Sequence, residues 1–238
     1  MAEVKVSEID KVIEKCIGDN PPYCQAACPL HVDVRGYVAL IKEGKYSEAL
    51  RLVKEKLPLP GIMARDCTHP CESKCKRGEV DESVAIAALK RSAADHGQPI
   101  EEDLAVEEKE QKVAIIGSGP AGLMAAHDLR RMGYQVTIFE VLPILGGMLS
   151  VGIPEYRLPR DILLNEIGAI EKLGVSVRLN TKIGEDIKLS DLGRDFDAIF
   201  IATGTQLSRR LTLEGAQLEG VFWGMGFLRE VNLGHRAK

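Results

Sequence analysis

The stretch from Lys112 to Glu140, KVAIIGSGPAGLMAAHDLRRMGYQVTIFE, constrains this chain more than any other. An apolar run, Val113 to Ile116, leads into Gly117-Ser118-Gly119-Pro120-Ala121-Gly122. A helical pattern with Leu123, Ala126 and Leu129 on one side follows, and a second apolar run, Gln135 to Phe139, ends on Glu140. The spacing predicts a strand–turn–helix–strand unit. In it Gly117 makes the tight turn, Gly119 lets a pyrophosphate approach the backbone, and Gly122 lets helix and strand pack closely. Free N–H groups at the helix start suit phosphate oxygens. Glu140 falls at the tip of the second strand, where a carboxylate accepts hydrogen bonds from a ribose. The expectation is a dinucleotide site. A Gly-rich turn in some other α/β protein would leave Glu140 unexplained.

The 238 residues leave room for one large or two modest domains. A net charge of −4 provides no basic surface for nucleic acid, and 5% aromatic residues leave few rings to stack bases. No apolar run is long enough for a membrane span. MAEVKVSEIDKVIEK mixes acids and bases without a continuous apolar segment, so it does not read as a secretory signal. A cytoplasmic location is expected, and six cysteines there read as metal ligands or catalytic thiols rather than disulfides.

Taken in order, residues 1–97 read as all-helical. A first helix, with Ser7 as its cap, carries Ile9, Val12, Ile13 and Ile17 towards Cys16 and breaks at Gly18 to Pro22. A cysteine loop, Cys24-Gln25-Ala26-Ala27-Cys28-Pro29, precedes helical patterns over Asp33 to Glu43 and Tyr46 to Lys56, the latter with Ser47 as its cap. Leu57 to Gly61 ends them. The second cysteine group, Cys67 to Cys75, and an Ala-rich helix over Glu82 to His96 follow. Residues 98–111, rich in acids, read as an exposed linker, and 112–238 as a second domain. That domain continues with a helix over Asp161 to Leu173, strands over Val175 to Leu179 and Asp197 to Ala202, and a helix around Met225 to Val231.

The cysteines fall as Cys16-x7-Cys24-x3-Cys28-Pro and Cys67-x3-Cys71-x3-Cys75. Three cysteines four apart, in a loop broken by Pro70, can converge on one metal centre, and Cys-Pro recurs in iron–sulfur loops. Zinc also takes four thiolates, but six cysteines do not divide into closed sets of four. Structural free cysteines would account for one or two of them. His69 reads as a loop hydrogen-bonding residue, and Tyr23, Ile62 and Met63 as packing around the thiols.

CQAACPL, the triple-cysteine loop, VAIIGSGPAGLMAA, LGGMLSVGIPEYRLP and AIFIATG together cover almost the whole chain. In combination they resemble the small (beta) subunit of NADPH-dependent glutamate synthase. Relatives of that family include the N-terminal half of dihydropyrimidine dehydrogenase and the large subunit of the bifurcating ferredoxin:NADP transhydrogenase. The resemblance implies an α+β multidomain chain. Its all-helical domain holds two [4Fe–4S] clusters and is followed by an α/β Rossmann-like FAD domain of the glutathione-reductase type, into which an NAD(P)H domain is inserted.

By that resemblance Gly117, Ser118, Gly119, Pro120, Ala121, Gly122 and Glu140 would hold the FAD pyrophosphate and ribose. Gly146, Gly147 and Leu149 would line the flavin side, Gly152 and Ile153 would lie near the isoalloxazine, and Ala202, Thr203 and Gly204 beside the FAD. One cluster would use Cys16, Cys24 and Cys75, the other Cys28, Cys67 and Cys71. Three departures from the family pattern stand out. Asp19 occupies the position of a further cysteine; Lys90 or Arg91 stands where the family has a Glu or Gln ligand, so either a nearby acid, Glu79 or Glu82, replaces it or that cluster is altered or lost; and the second Gly-rich motif, for NAD(P)H, is expected just beyond Asn232-Leu233, whereas the sequence stops at Lys238.

The expected function is therefore a flavin/iron–sulfur electron-transfer subunit of an NAD(P)H-linked oxidoreductase. Its partners would be other redox subunits of amidotransferase-like, ferredoxin-like or hydrogenase-like kind. No Cys-x4-Cys follows the first Gly-rich unit, which argues against a disulfide reductase of the same fold. The alternative is a non-catalytic docking subunit holding at most one cluster.

Overall fold

Asp33 precedes an apolar helical pattern and folds its carboxylate back on it, accepting a hydrogen bond from Gly36 N–H at 2.9 Å. Such a cap satisfies one of the four orphan donors at a helix start. The computed structural model describes residues 6–18, 20–98 and 106–235. The chain divides into two compact units, Met1–Glu101 and Glu102–Lys238.

The first unit contains helices α1 (Val6–Ile17), α2 (Tyr23–Ala27), α3 (Val34–Lys42), α4 (Tyr46–Lys54), α5 (Pro60–Asp66), α6 (Pro70–Ser73) and α7 (Ile86–His96). A 3-10 turn, Lys76–Glu79, lies between the last two. Its core takes Val34, Tyr37 and Ile41 from α3, Ala49 and Val53 from α4, and Ile86 and Ala93 from α7. These positions recur at three, four or seven residues, so each helix presents one apolar stripe. Cys24, Cys28 and Cys71 pack against this same core.

Four sequence expectations change here. Ser7 lies inside α1 rather than capping it. Lys45, not Ser47, precedes α4, and the Ser47 hydroxyl instead accepts from Gln98 N–H at 3.0 Å. Pro60 does not stop a helix but starts α5, since a proline at the first helical position gives up an N–H that would be orphaned anyway. The first cysteine loop contains the single helical turn α2. Of the acidic linker, residues 99–105 lie outside the described residues.

The second unit is a four-stranded parallel sheet, β1 (Lys112–Ile116), β2 (Gln135–Phe139), β3 (Ser176–Arg178) and β4 (Ala198–Ile201), in the order β3-β2-β1-β4. Helices α8 (Pro120–Arg131), α9 (Met148–Val151), α10 (Arg160–Glu171), α11 (Leu189–Asp195) and α12 (Gly224–Asn232) complete it. Ala114 and Ile116 turn towards Leu192 of α11, whereas Ile115 lies under Gly122 of α8, so both faces of β1 are covered. That explains its unbroken apolar run. β1 is one of the two inner strands, with Val113 paired to Val136 on one side and Ala198 on the other. At the edge, β4 leaves Phe200 and Ile201 exposed.

Candidate functional site

The Gly-rich turn opens a cleft of about 350 Å³ at the carboxyl ends of β1, β2 and β4. Gly117, Ser118, Gly119, Pro120, Ala121, Glu140, Gly147, Ala202, Thr203 and Gly204 line it. In a parallel sheet this is where crossover connections leave a crevice for a ligand.

Each glycine has a separate geometric reason. Gly117 adopts φ +105°, and a Cβ there would stand 2.4 Å from the Ala202 carbonyl oxygen. The turn can therefore pass against the end of β4 only without a side chain. A Cβ on Gly122 would stand 2.0 Å from the Gly117 carbonyl oxygen and 3.3 Å from Ile115, so this glycine lets α8 lie on β1. Gly119 is the opposite case. Nothing lies within 4 Å of the position its Cβ would take, and Gly119 lines the cleft. A side chain there would fill ligand space, not protein. Gly119 is also the cap residue of α8, and no side chain caps that helix. Its first-turn N–H groups are thus left for an anion.

Glu140 is 4% exposed and forms part of the wall. Its Oε2 accepts from Ser118 N–H at 2.8 Å and from the Ser118 hydroxyl at 2.5 Å, and its Oε1 accepts from Leu142 N–H at 2.9 Å. An ionised carboxylate offers about four acceptor positions, so one on Oε1 remains for a ribose hydroxyl. Ser118 also accepts from Gly146 N–H at 3.1 Å, tying the two Gly-rich loops together through a fully buried hydroxyl.

Other expected residues stand back from the cleft. Gly146 packs against Ser150, and Leu149 is buried in the unit's interior. Gly152 ends α9 beside Met148, and the Ile153 carbonyl accepts from Arg160. None of these four, nor Gly122, lines the cleft. Met148, within the LGGML motif but not singled out, lines it, as do Thr181, Lys182, Ile183 and Gln206, which no motif marked. They come from the start of α9 and from the segments after β3 and β4, and only the topology brings them together.

In the first unit all six cysteines are unpaired and half-buried. Cys16, Cys24 and Cys75 share the wall of an apolar cavity of about 630 Å³. Burial, then the neighbouring Cys75, pushes the Cys16 thiol up, and Glu79 adds to the effect. Burial raises Cys24 too, with Cys75 and Cys16 contributing. On the other side, burial pushes Cys71 up to about 11 and Cys67 adds to the rise, against an opposing pull from the Lys90 ammonium. Tyr37, pushed up by burial, feels Cys71, Cys24 and Cys28 together, so its ring lies near members of both groups. The donor set fits iron–sulfur chemistry. Thiols held neutral by burial need a compensating cation to become thiolates, and the metal supplies it. Among the described residues no three His, Cys, Asp or Glu side chains close on a single ion. A four-iron cube instead takes its thiolates at separate corners.

Asp19 lies outside the described residues. Arg91 is paired with Asp95 at 3.2 Å, so Lys90 is the residue that bears on Cys71. Glu79 is held by Lys15 at 3.2 Å and Lys76 at 2.6 Å, and it bears on Cys16 rather than on the second group. His69 N–H donates to Cys67 Sγ at 3.2 Å, and its Nδ1 lies 3.0 Å from the Cys67 carbonyl oxygen, consistent with a loop role. Met63 packs on the core beneath the thiols, while Tyr23 is half exposed under Lys76.

Two family models match the chain. Residues 2–101 match dihydropyrimidine dehydrogenase domain II, 4Fe-4S cluster, and residues 111–234 match pyridine nucleotide-disulphide oxidoreductase. The chain is 45% identical to the NADP(+)-dependent formate dehydrogenase subunit beta of Moorella thermoacetica, over 88% of this chain and 33% of that protein. It is 42% identical to the NADPH-Fe(3+) oxidoreductase subunit beta of Geobacter sulfurreducens strain PCA, over 89% of this chain and 33% of that one. With the glutamate synthase [NADPH] small chain of Escherichia coli K12 the figures are 33%, 90% and 47%. The chain thus spans about a third to a half of the length of these relatives. Among the described residues no helix is long and apolar enough to cross a membrane.

Proposed function

The chain belongs to the pyridine nucleotide-disulphide oxidoreductase family, and from that premise we propose that it is the flavin/iron–sulfur electron-transfer part of an NAD(P)H-linked oxidoreductase complex. The observation that carries the reading is the open space at Gly119, at the start of an uncapped helix and beside a buried acid. That combination fits the pyrophosphate and ribose of FAD. FAD, when bound, supplies hydride exchange with nicotinamide and single-electron exchange with the clusters.

The residues of this chain bind and orient. The first turn of α8 offers N–H groups to the pyrophosphate, and Glu140 offers its remaining acceptor position to the ribose. Gly117 and Gly147 hold the two loops close: a Cβ on Gly147 would stand 2.8 Å from Gly119 Cα. In the helical unit we assign Cys16, Cys24 and Cys75, with Asp19, to one [4Fe–4S] cluster, and Cys28, Cys67 and Cys71 to the other. Lys90 would place a positive charge beside the second, favouring its reduced form.

The relatives named as beta subunits support partner subunits of a redox complex, and we place the assembly in the cytoplasm. The glutamate-synthase-like activity is one candidate among those relatives. A purely docking subunit would have no need of the open phosphate cradle. The test is iron, acid-labile sulfide and flavin per chain on anaerobically purified protein, with EPR after reduction. Roughly eight irons and one FAD are expected. About four irons would leave the Lys90 side empty. No flavin and no iron would sink the proposal in favour of the docking subunit.

A further inference from the structure

The short helix α9 forms part of the candidate cleft, because Gly147 and Met148 at its start line the wall beside Gly119. Four residues are too few for a helix to hold itself together. The carbonyls of Leu149 and Val151 have no partner within so short a helix and need one. Two side chains from distant elements supply it. Arg160, at the start of α10, donates to Leu149 O at 3.3 Å and Ile153 O at 2.9 Å. Asn232, the last residue of α12, donates from Nδ2 to Val151 O at 2.9 Å. The two are joined, since Arg160 also donates to Asn232 Oδ1 at 2.8 Å. Val151 is fully buried, so its carbonyl has no water to turn to if the amide is removed.

We infer that Arg160 and Asn232 are positioning residues for the cofactor. They clamp the far end of α9 so that its near end, Gly147–Met148, stays against the phosphate loop. The inference rests on the flavin reading above. Gly147 makes the clamp consequential. It adopts φ +53° with ψ −127°, a conformation that only glycine adopts readily, and it sits almost in contact with Gly119. If α9 swings, the wall across from the pyrophosphate moves with it. Met225 of α12 lies over Gly152, so the amide and the helix that carries it cover the same end of α9.

The test titrates FAD into the flavin-stripped full-length protein as wild type, Asn232→Leu, Asn232→Asp and Arg160→Lys. It follows flavin fluorescence and the visible circular dichroism of the saturated protein. Asn232→Leu is expected to bind FAD about tenfold more weakly, from the loss of one acceptor and one donor. Its saturated flavin is expected to show an altered visible spectrum. Arg160→Lys keeps a cation but not the forked geometry, and should fall between Asn232→Leu and wild type. A variant that melts earlier yet binds FAD with wild-type affinity and spectrum would overturn the inference, leaving the network a brace for the fold. If Asn232→Leu does not fold, Asn232→Asp decides. It keeps the acceptor for Arg160 and loses the donor to Val151 O, so weaker binding supports the clamp and unchanged binding overturns it. Wild-type protein that binds no FAD overturns the clamp and the flavin reading together. Equal binding in every variant overturns the clamp alone.

Discussion

Three glycines within a stretch of six residues, Gly117, Gly119 and Gly122, carry separable duties. Gly119→Ala should fold as well as wild type, because its φ of −67° suits alanine and its Cβ meets nothing. It should nevertheless lose FAD affinity by roughly a hundredfold or more, the cost of a methyl group where a charged phosphate belongs. Gly117→Ala should do the reverse damage, losing about 1–3 kcal/mol of stability through its positive φ and its clash with Ala202. Chemical denaturation beside a flavin titration separates the two. Equal stability loss in both variants would sink the distinction. The geometric part of this contrast was legible in the sequence, because the motif's spacing sets Gly117 at the turn and Gly122 against β1 and leaves Gly119 facing open space. The role of Ser118 was not. Its buried hydroxyl joins Glu140 to Gly146, and nothing in a strand–turn–helix pattern says that residue 146 returns to that point. Lys182 was missed for the same reason.

At the scale of elements, α5 and α7 are held by Asp95, which accepts from Arg65 at 2.6 Å and Arg91 at 3.2 Å. Partial burial works to raise the Asp95 carboxyl, but the hydrogen bonds and charges of Arg65 and Arg91 outweigh it and hold it below the ordinary carboxylate range. A depressed folded-state value means this contribution is fully present above the ordinary aspartate range, about pH 4, and is lost as pH falls through the lowered value. Asp95→Asn should therefore lower the melting temperature of the helical unit at pH 7 by a few degrees and hardly at all at the acid limit. A constant difference at every pH would refute the assignment. Long periodic helices such as α3, α8 and α10 could be read from their apolar stripes. α9 and α11 could not, since a few residues show no period. α5 was hidden behind a proline that reads equally well as a stop and as a start. β4 was recognisable as an apolar strand, yet its exposure at Ile201, 62%, depends on its being at the edge of the sheet, which no local pattern encodes.

The whole molecule consists of two units with cores of their own, one of helix stripes and one of a sheet covered on both faces. Calorimetry should show two transitions. FAD at a hundred times its dissociation constant should stabilise the sheet unit by about 2.7 kcal/mol, and an iron chelator should lower the transition of the helical unit. A single transition moved equally by both treatments would refute separate cooperative units. The change from helical pattern to strand–turn–helix can be read in the sequence. That Cys16, Cys24 and Cys75 share a wall could be expected only from the family resemblance and not from their spacing, because α3, α4 and α5 intervene in the chain between Cys24 and Cys75. That meeting has a consequence for how the protein is made. The wall joins the earliest and the latest cysteines to leave the ribosome, and closing so long a loop in an unstructured chain is entropically costly. A nascent chain therefore displays reactive thiols long before it has anywhere to put iron. Delivery of a cluster to that wall follows the folding of the helical unit, which can precede completion of the chain.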